Sequence, residues 1–137
     1  MARVLLVEDD HNMRFLIAQI LNRAGYQTYE ADNGRRALEV LKEYDLDLVI
    51  SDFLMPEMNG LEFLELIKQQ HPDIPVLMLS VHTRVDWVDA ALEKGAVAYL
   101  LKPFTREQLT TIVSDILSAR HSVSSKAQYA TSAAYAL

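Results

Sequence analysis

Short apolar runs alternate five times with amphipathic stretches along the chain, the rhythm of an α/β domain built on a parallel sheet. Val4 to Val7, Leu48 to Ile50 and Val76 to Leu79 are continuously apolar, as strands covered by helices on both faces must be. These three are expected at the centre of the sheet. Gln27 to Ala31 is half polar and Ala98 to Leu101 is short, which suits the two edges.

The helices are marked by their ends as much as by their periodicity. Gly25 follows a helix expected from about His11 to Ala24, and Gly95 follows one from about Arg84 to Lys94; each can supply the left-handed residue that closes a helix. Asn59 opens the third helix and Pro72 limits it. Thr105 and Gln108 form a capping box ahead of Leu109, Ile112, Val113 and Ile116, so the last helix starts there and ends near Ala119. In the fourth helix Val85, Val88 and Leu92 define the buried stripe. At ~100° per residue Trp87 falls about 130° from its centre, so it should be partly exposed, and it is a candidate partner surface.

The pattern gives one domain over residues 1–120. From 121 to 137 the composition shifts to Ser, Ala, Thr and Tyr, which reads as a linker or tail: a joint to an absent output domain, a non-native remnant, or a helical extension. At 137 residues, half of them apolar, the chain can bury a core without staples. The lack of cysteine fits a reducing compartment, and the first apolar run is too short for a signal peptide or a membrane span, so a soluble cytoplasmic protein is expected. A net charge of −6 with no Lys/Arg cluster argues against direct nucleic-acid binding.

The unusual polar residues fall at strand ends. Glu8, Asp9 and Asp10 follow the first run, Asp52 closes the third, Ser80 the fourth, and Lys102 follows the fifth. In a doubly wound, flavodoxin-like (βα)5 sheet of order 2-1-3-4-5, the switch point between strands 1 and 3 brings Glu8, Asp9 and Asp52 into one crevice. Three carboxylates there repel unless a cation sits among them, and Mg²⁺, which takes oxygen ligands from carboxylates and phosphates, is the economical one. A carboxylate can also attack phosphorus. Lys102 would offset charge on a transferring phosphoryl group, and the Ser80 hydroxyl could hydrogen-bond one of its oxygens.

The segments Val7-Glu8-Asp9-Asp10, Ser51-Asp52-Phe53-Leu54-Met55-Pro56-Glu57-Met58-Asn59-Gly60, Leu79-Ser80 and Tyr99-Leu100-Leu101-Lys102-Pro103-Phe104 resemble the CheY-like receiver domain of two-component response regulators. The likeness runs from about Arg3 to Ala119. It implies that Asp52 accepts the phosphoryl group, that Asp9 and Asp52 bind Mg²⁺ directly, with Glu8 acting through water, and that the backbone carbonyl of Leu54 is a further ligand. It implies that Ser80 and Lys102 contact the phosphoryl group and that Lys102-Pro103 is cis. Ser80 and Tyr99 would form the switch that reshapes the face of the fourth helix, fifth strand and fifth helix, a face that could also carry a homodimer. Leu54, Val81 and His82 stand where side chains tune phosphoryl lifetime; Val81 is bulkier than the family's usual residue there and should crowd the acceptor.

The implied donor is a sensor histidine kinase or a histidine phosphotransfer protein. The implied chemistry is self-catalysed acceptance and slow autodephosphorylation, without metabolic turnover. Other readings stand beside these. Asp10 is a helix cap, Asp45 and Asp47 are solvated, Tyr99 equally suits a core-edge aromatic, and the four histidines lack zinc spacing. A magnesium-dependent phosphohydrolase would place an acid where Leu54 stands. A phosphate-independent interaction module would tend to lose an acid or the lysine, and none is missing. Gly95-Ala96-Val97-Ala98 lacks the Asp-Asp pair of one large group of DNA-binding regulators that dimerise through the fourth and fifth helices.

Overall fold

The computed structural model describes residues 1–55, 57–81 and 84–119. His82 and the tail over 121–137 lie outside the described residues. The chain runs β1 (Arg3–Val7), α1 (His11–Arg23), β2 (Gln27–Ala31), α2 (Gly34–Glu43), β3 (Leu48–Asp52), α3 (Gly60–Gln70), β4 (Val76–Ser80), α4 (Val85–Glu93), β5 (Ala98–Leu101) and α5 (Arg106–Ala119). The five strands are parallel in the order β2-β1-β3-β4-β5, as the apolar pattern predicts.

Side chains alternate across a strand, so each central strand feeds two cores. Leu5, Val7, Val49 and Met78 pack with Val40, Phe63 and Ile67 on the face of α2, α3 and α4. Val4, Leu6, Ile50 and Leu77 pack with Ile17, Leu21, Leu109 and Val113 under α1 and α5. That double burial is why the central strands read as unbroken apolar runs. No helix of the described residues is long and apolar enough to cross a membrane.

The caps appear as expected. The Asp10 side chain accepts the N–H groups of Asn12 and Met13, and the Asn59 side chain that of Glu62. Thr105 and Gln108 satisfy each other's backbone N–H at 2.8 and 3.0 Å, a reciprocal capping box. Gly25 and Gly95 hold φ of 99° and 109°, the left-handed region that favours glycine.

β3 and β4 close on Asp52 and Ser80, as read from the sequence, so both groups are fixed by strand pairing. Two expectations change. Asp47 is not merely solvated: its carboxylate accepts the Arg3 N–H at 2.8 Å, tying the start of β1 to the approach of β3. Val85 is 61% exposed, whereas Val88 and Ala91 are buried and Trp87 packs against the core. The buried face of α4 is thus turned toward Trp87. The helix is only nine residues long, and a large indole near its start outweighs a valine in apolar area.

Candidate functional site

Strand register brings the acids together. Val7 pairs with Ser51, so Glu8 and Asp52 follow side by side at the carboxyl ends of β1 and β3. Carboxylate oxygens of Glu8, Asp9 and Asp52 lie within 4.8 Å of one another. Glu8 is held by its backbone on both sides: its N–H donates to the Ala31 carbonyl at 3.1 Å, and its carbonyl accepts from Arg14 Nη1 at 2.7 Å. Arg14 is anchored in turn by an ion pair with Glu30 at 3.0 Å. Asp10 points away to cap α1, as read from the sequence.

Lys102 arrives from the far edge of the sheet. Its N–H donates to the Ser80 carbonyl at 2.7 Å, and the Lys102-Pro103 peptide is cis. Its ammonium donates to Glu8 Oε1 at 2.8 Å and Asp52 Oδ1 at 3.1 Å. Asp52 Oδ1 also accepts the Phe53 N–H at 3.0 Å. The sequence directed Lys102 toward a phosphoryl group; the structure adds a direct bridge from Lys102 to both acids.

The electrostatics follow from burial and crowding. Glu8 is buried, and that desolvation, opposed by the Lys102 hydrogen bond and assisted by the Asp52 charge, pushes its carboxyl from 4.5 up to about 7. Burial works to lower Lys102, but its hydrogen bond to Glu8 and the charges of Asp52 and Glu8 together outweigh it and hold the ammonium above its usual range. One lysine therefore does not satisfy three acids, and the edge favours a further cation. The donors are all hard oxygens, which fit a divalent ion such as magnesium better than a soft metal. Glu8, Asp9 and Asp52 could hold such a metal.

Around this centre, Ser80 is buried at the end of β4 and Tyr99 is fully buried in β5. Burial pushes the Tyr99 phenol up, against a hydrogen bond with Ser80 and with help from the Asp52 charge. Tyr99 thus already points inward. Leu54 and Val81 are exposed, at 49% and 63%, on the two loops that follow β3 and β4. Trp87 is half-buried, its indole stacked on Phe53.

Sequence reasoning missed Arg14, Phe53 and Gly60. Gly60 opens α3 where a Cβ would come within 2.7 Å of both Met78 Cε and the Phe53 carbonyl and 2.8 Å of the Asp52 carbonyl, so only glycine lets α3 approach the acidic strand end. Its presence in Met58-Asn59-Gly60 was a signal. Arg14 and Phe53 carried none, since their contacts depend on how α1 and α4 dock.

Comparison with known proteins bears on the whole assembly. The sequence profile of the response regulator receiver domain matches residues 4–114. The chain is 38% identical to the transcriptional regulatory protein ZraR of Klebsiella oxytoca over 84% of its own length and 26% of that protein's. It thus spans about a quarter of such relatives, the Escherichia coli regulator NtrC among them. It is 31% identical to the sporulation initiation phosphotransferase F of Bacillus subtilis, over 84% of this chain and 93% of that one. The solved structure of Vibrio cholerae chemotaxis protein CheY4 superposes with a TM-score of 0.82 at 34% identity, covering 85% of this chain and 98% of the other.

Proposed function

The chain belongs to the response regulator receiver domain family, and from that membership we propose that Asp52 is its phosphoryl acceptor. The observation that carries the reading is the Lys102 ammonium bridging Glu8 and Asp52, at 2.8 and 3.1 Å, beside a third carboxylate at the sheet's switch point.

In the proposed reaction an Asp52 carboxylate oxygen attacks the phosphorus of a phosphohistidine on a histidine kinase or phosphotransfer protein. An O–P bond forms as the N–P bond breaks, and the imidazole leaves. Lys102, already 3.1 Å from Asp52, moves its charge onto an equatorial phosphoryl oxygen, and the Ser80 hydroxyl donates to another. Asp9 and Asp52 would hold Mg²⁺ directly, Glu8 through water, with the Leu54 carbonyl as a further ligand. When bound, the ion offsets the negative charge gathered at this edge. Slow hydrolysis of the aspartyl phosphate ends the signal, so the domain is a timer and not a metabolic enzyme.

Ser80 and Tyr99 form the switch in this reading. Movement of Ser80 toward the phosphoryl group alters its bond with Tyr99 and so the surface of α4, β5 and α5, where a second copy or an output partner would dock, the exposed part of Trp87 included. Residues 1–120 act as the receiver, and 121–137 are a linker or tail. His82 and Leu54 are proposed to tune hydrolysis, and Val81 to crowd the acceptor. Val81→Ala is expected to speed both phosphoryl uptake and loss, by at most about tenfold, equivalent to about 1.4 kcal/mol of barrier. Rates measured on the variant that match the native ones would remove Val81 from this role.

The test is intact mass after incubation with acetyl phosphate. A gain of about 80 Da, one phosphoryl group on a carboxylate, is expected with Mg²⁺ and not with EDTA or in Asp52→Asn. No gain from acetyl phosphate or from a histidine kinase donor would leave the domain as a phosphate-independent binding module.

A further inference from the structure

Phe53 stands between the acidic edge and α4. The residue is 5% exposed, and its ring lies nearly parallel to the Trp87 indole at 5.2 Å with 11° between the planes and meets Tyr99 edge-on at 6.0 Å. Its backbone is fixed just as closely. The N–H donates to the Leu79 carbonyl at 2.8 Å and to Asp52 Oδ1 at 3.0 Å, and the carbonyl accepts the Gly60 N–H at 2.7 Å. Phe53 therefore cannot shift without disturbing the Asp52 carboxylate, nor Asp52 without disturbing Phe53.

The start of α4 is built differently. Arg84, Val85 and Asp86 are exposed, and Arg84 makes no side-chain capping bond. The Arg84–Asp86 ion pair lies on the surface, where such pairs contribute little, and the Arg84 guanidinium also lies 5.6 Å from the indole centroid. Trp87 is the first residue of the helix to pack against the core. A short helix whose first turn is exposed opens and closes at low free energy, so a small bias at its anchor changes its population.

We propose that the Trp87–Phe53 stack couples the acceptor to α4: a change of charge at Asp52 moves the Phe53 backbone, and the stacked rings pass that movement to the first turn of the helix. Trp87 is then a positioning residue for α4 and not only part of a docking face. The inference rests on the reading of Asp52 as the acceptor.

Hydrogen exchange across α4, read by mass spectrometry on the full chain with and without acetyl phosphate and Mg²⁺, tests it. Intact mass from the same samples reports phosphoryl uptake independently. In the native protein phosphorylation should change exchange at residues 85–88 by about threefold or more, the scale of a local opening equilibrium shifted by a modest bias. Trp87→Leu and Phe53→Leu should cut that change to less than half in molecules that have gained the phosphoryl mass. Trp87→Tyr, which keeps a ring for the stack, should restore it. A full-sized α4 response in both leucine variants, with the mass gained, overturns the coupling alone. A native protein that gains no mass overturns the acceptor reading and the coupling with it.

Discussion

At the acidic edge, side chains as far apart in the chain as Glu8 and Lys102 meet because each sits at or just past the end of a paired strand. The first turn of α4 meets the same edge through a pair of stacked rings. The first arrangement places charges in a poorly hydrated crevice, where every neighbour shifts every other and small displacements have large electrostatic consequences. The second passes through a ring stack of defined geometry to a short helix whose exposed first turn opens at low free energy. A domain that receives a charge at one place and changes shape at another needs both: a stiff site to position the acceptor and a softer element to respond.

Breaking the stiff region should have the largest effect. Lys102→Ala removes the cation shared by Glu8 and Asp52, and phosphoryl uptake is expected to fall by about 100-fold, the scale of losing one preorganised charge-stabilising group. Stopped reaction time courses read by intact mass would check this, and a fall of less than about threefold would detach Lys102 from the transfer.

Gly60→Ala tests the packing that sets the site. The added methyl meets Met78 Cε and the Phe53 and Asp52 carbonyls at 2.7 to 2.8 Å, and overpacking of this kind costs about 1–3 kcal/mol. Urea unfolding should show that loss, together with slower phosphoryl uptake, because the backbone that must yield includes that of Asp52, the proposed acceptor.

The pH response sharpens the same contrast. Glu8 rises from 4.5 to about 7 on folding, so its neutral form is the one that favours the folded state. With EDTA present, that contribution is complete below pH 4.5 and is lost as pH rises through 7, a change on the order of 1–3 kcal/mol relative to Glu8→Gln. Magnesium affinity should move the opposite way, rising between pH 6 and 8 as Glu8 ionises, with a flatter profile in Glu8→Gln by calorimetry.

Changes in the soft region should cost least. Trp87→Ala removes a half-buried indole and its stack, and is expected to lower stability by about 1–2 kcal/mol while leaving the Glu8–Lys102–Asp52 bridge in place. If Trp87→Ala destabilised the fold more than Gly60→Ala in paired urea titrations, the division into stiff and soft regions would be wrong.

The two regions also differ in how far the sequence revealed them. The strand order, the caps at Asp10, Asn59 and Thr105, and the meeting of Glu8, Asp9 and Asp52 follow from apolar runs and the strand ends that terminate them, because a parallel sheet leaves little freedom in where those ends go. The α4 region was less legible. The spacing placed Val88 and Leu92 against the core and Trp87 partly exposed, as found, but wrongly buried Val85, since in so short a helix the docking of one indole on Phe53 turns the buried face toward Trp87, and that contact joins residues in different elements with no periodic signature. Arg14 was hidden for a related reason: its role at the Glu8 carbonyl appears only once α1 is docked beside β1 and β2.

The central claim, that the phosphoryl group resides on Asp52, is tested most directly by trapping the acyl phosphate. Borohydride reduces an aspartyl phosphate to homoserine, and peptide mapping after reaction with acetyl phosphate and Mg²⁺ then locates the site. Homoserine at position 52 alone, absent from the EDTA sample, is the expected result. Homoserine at position 9, or a borohydride-resistant phosphate on Ser80, would contradict it.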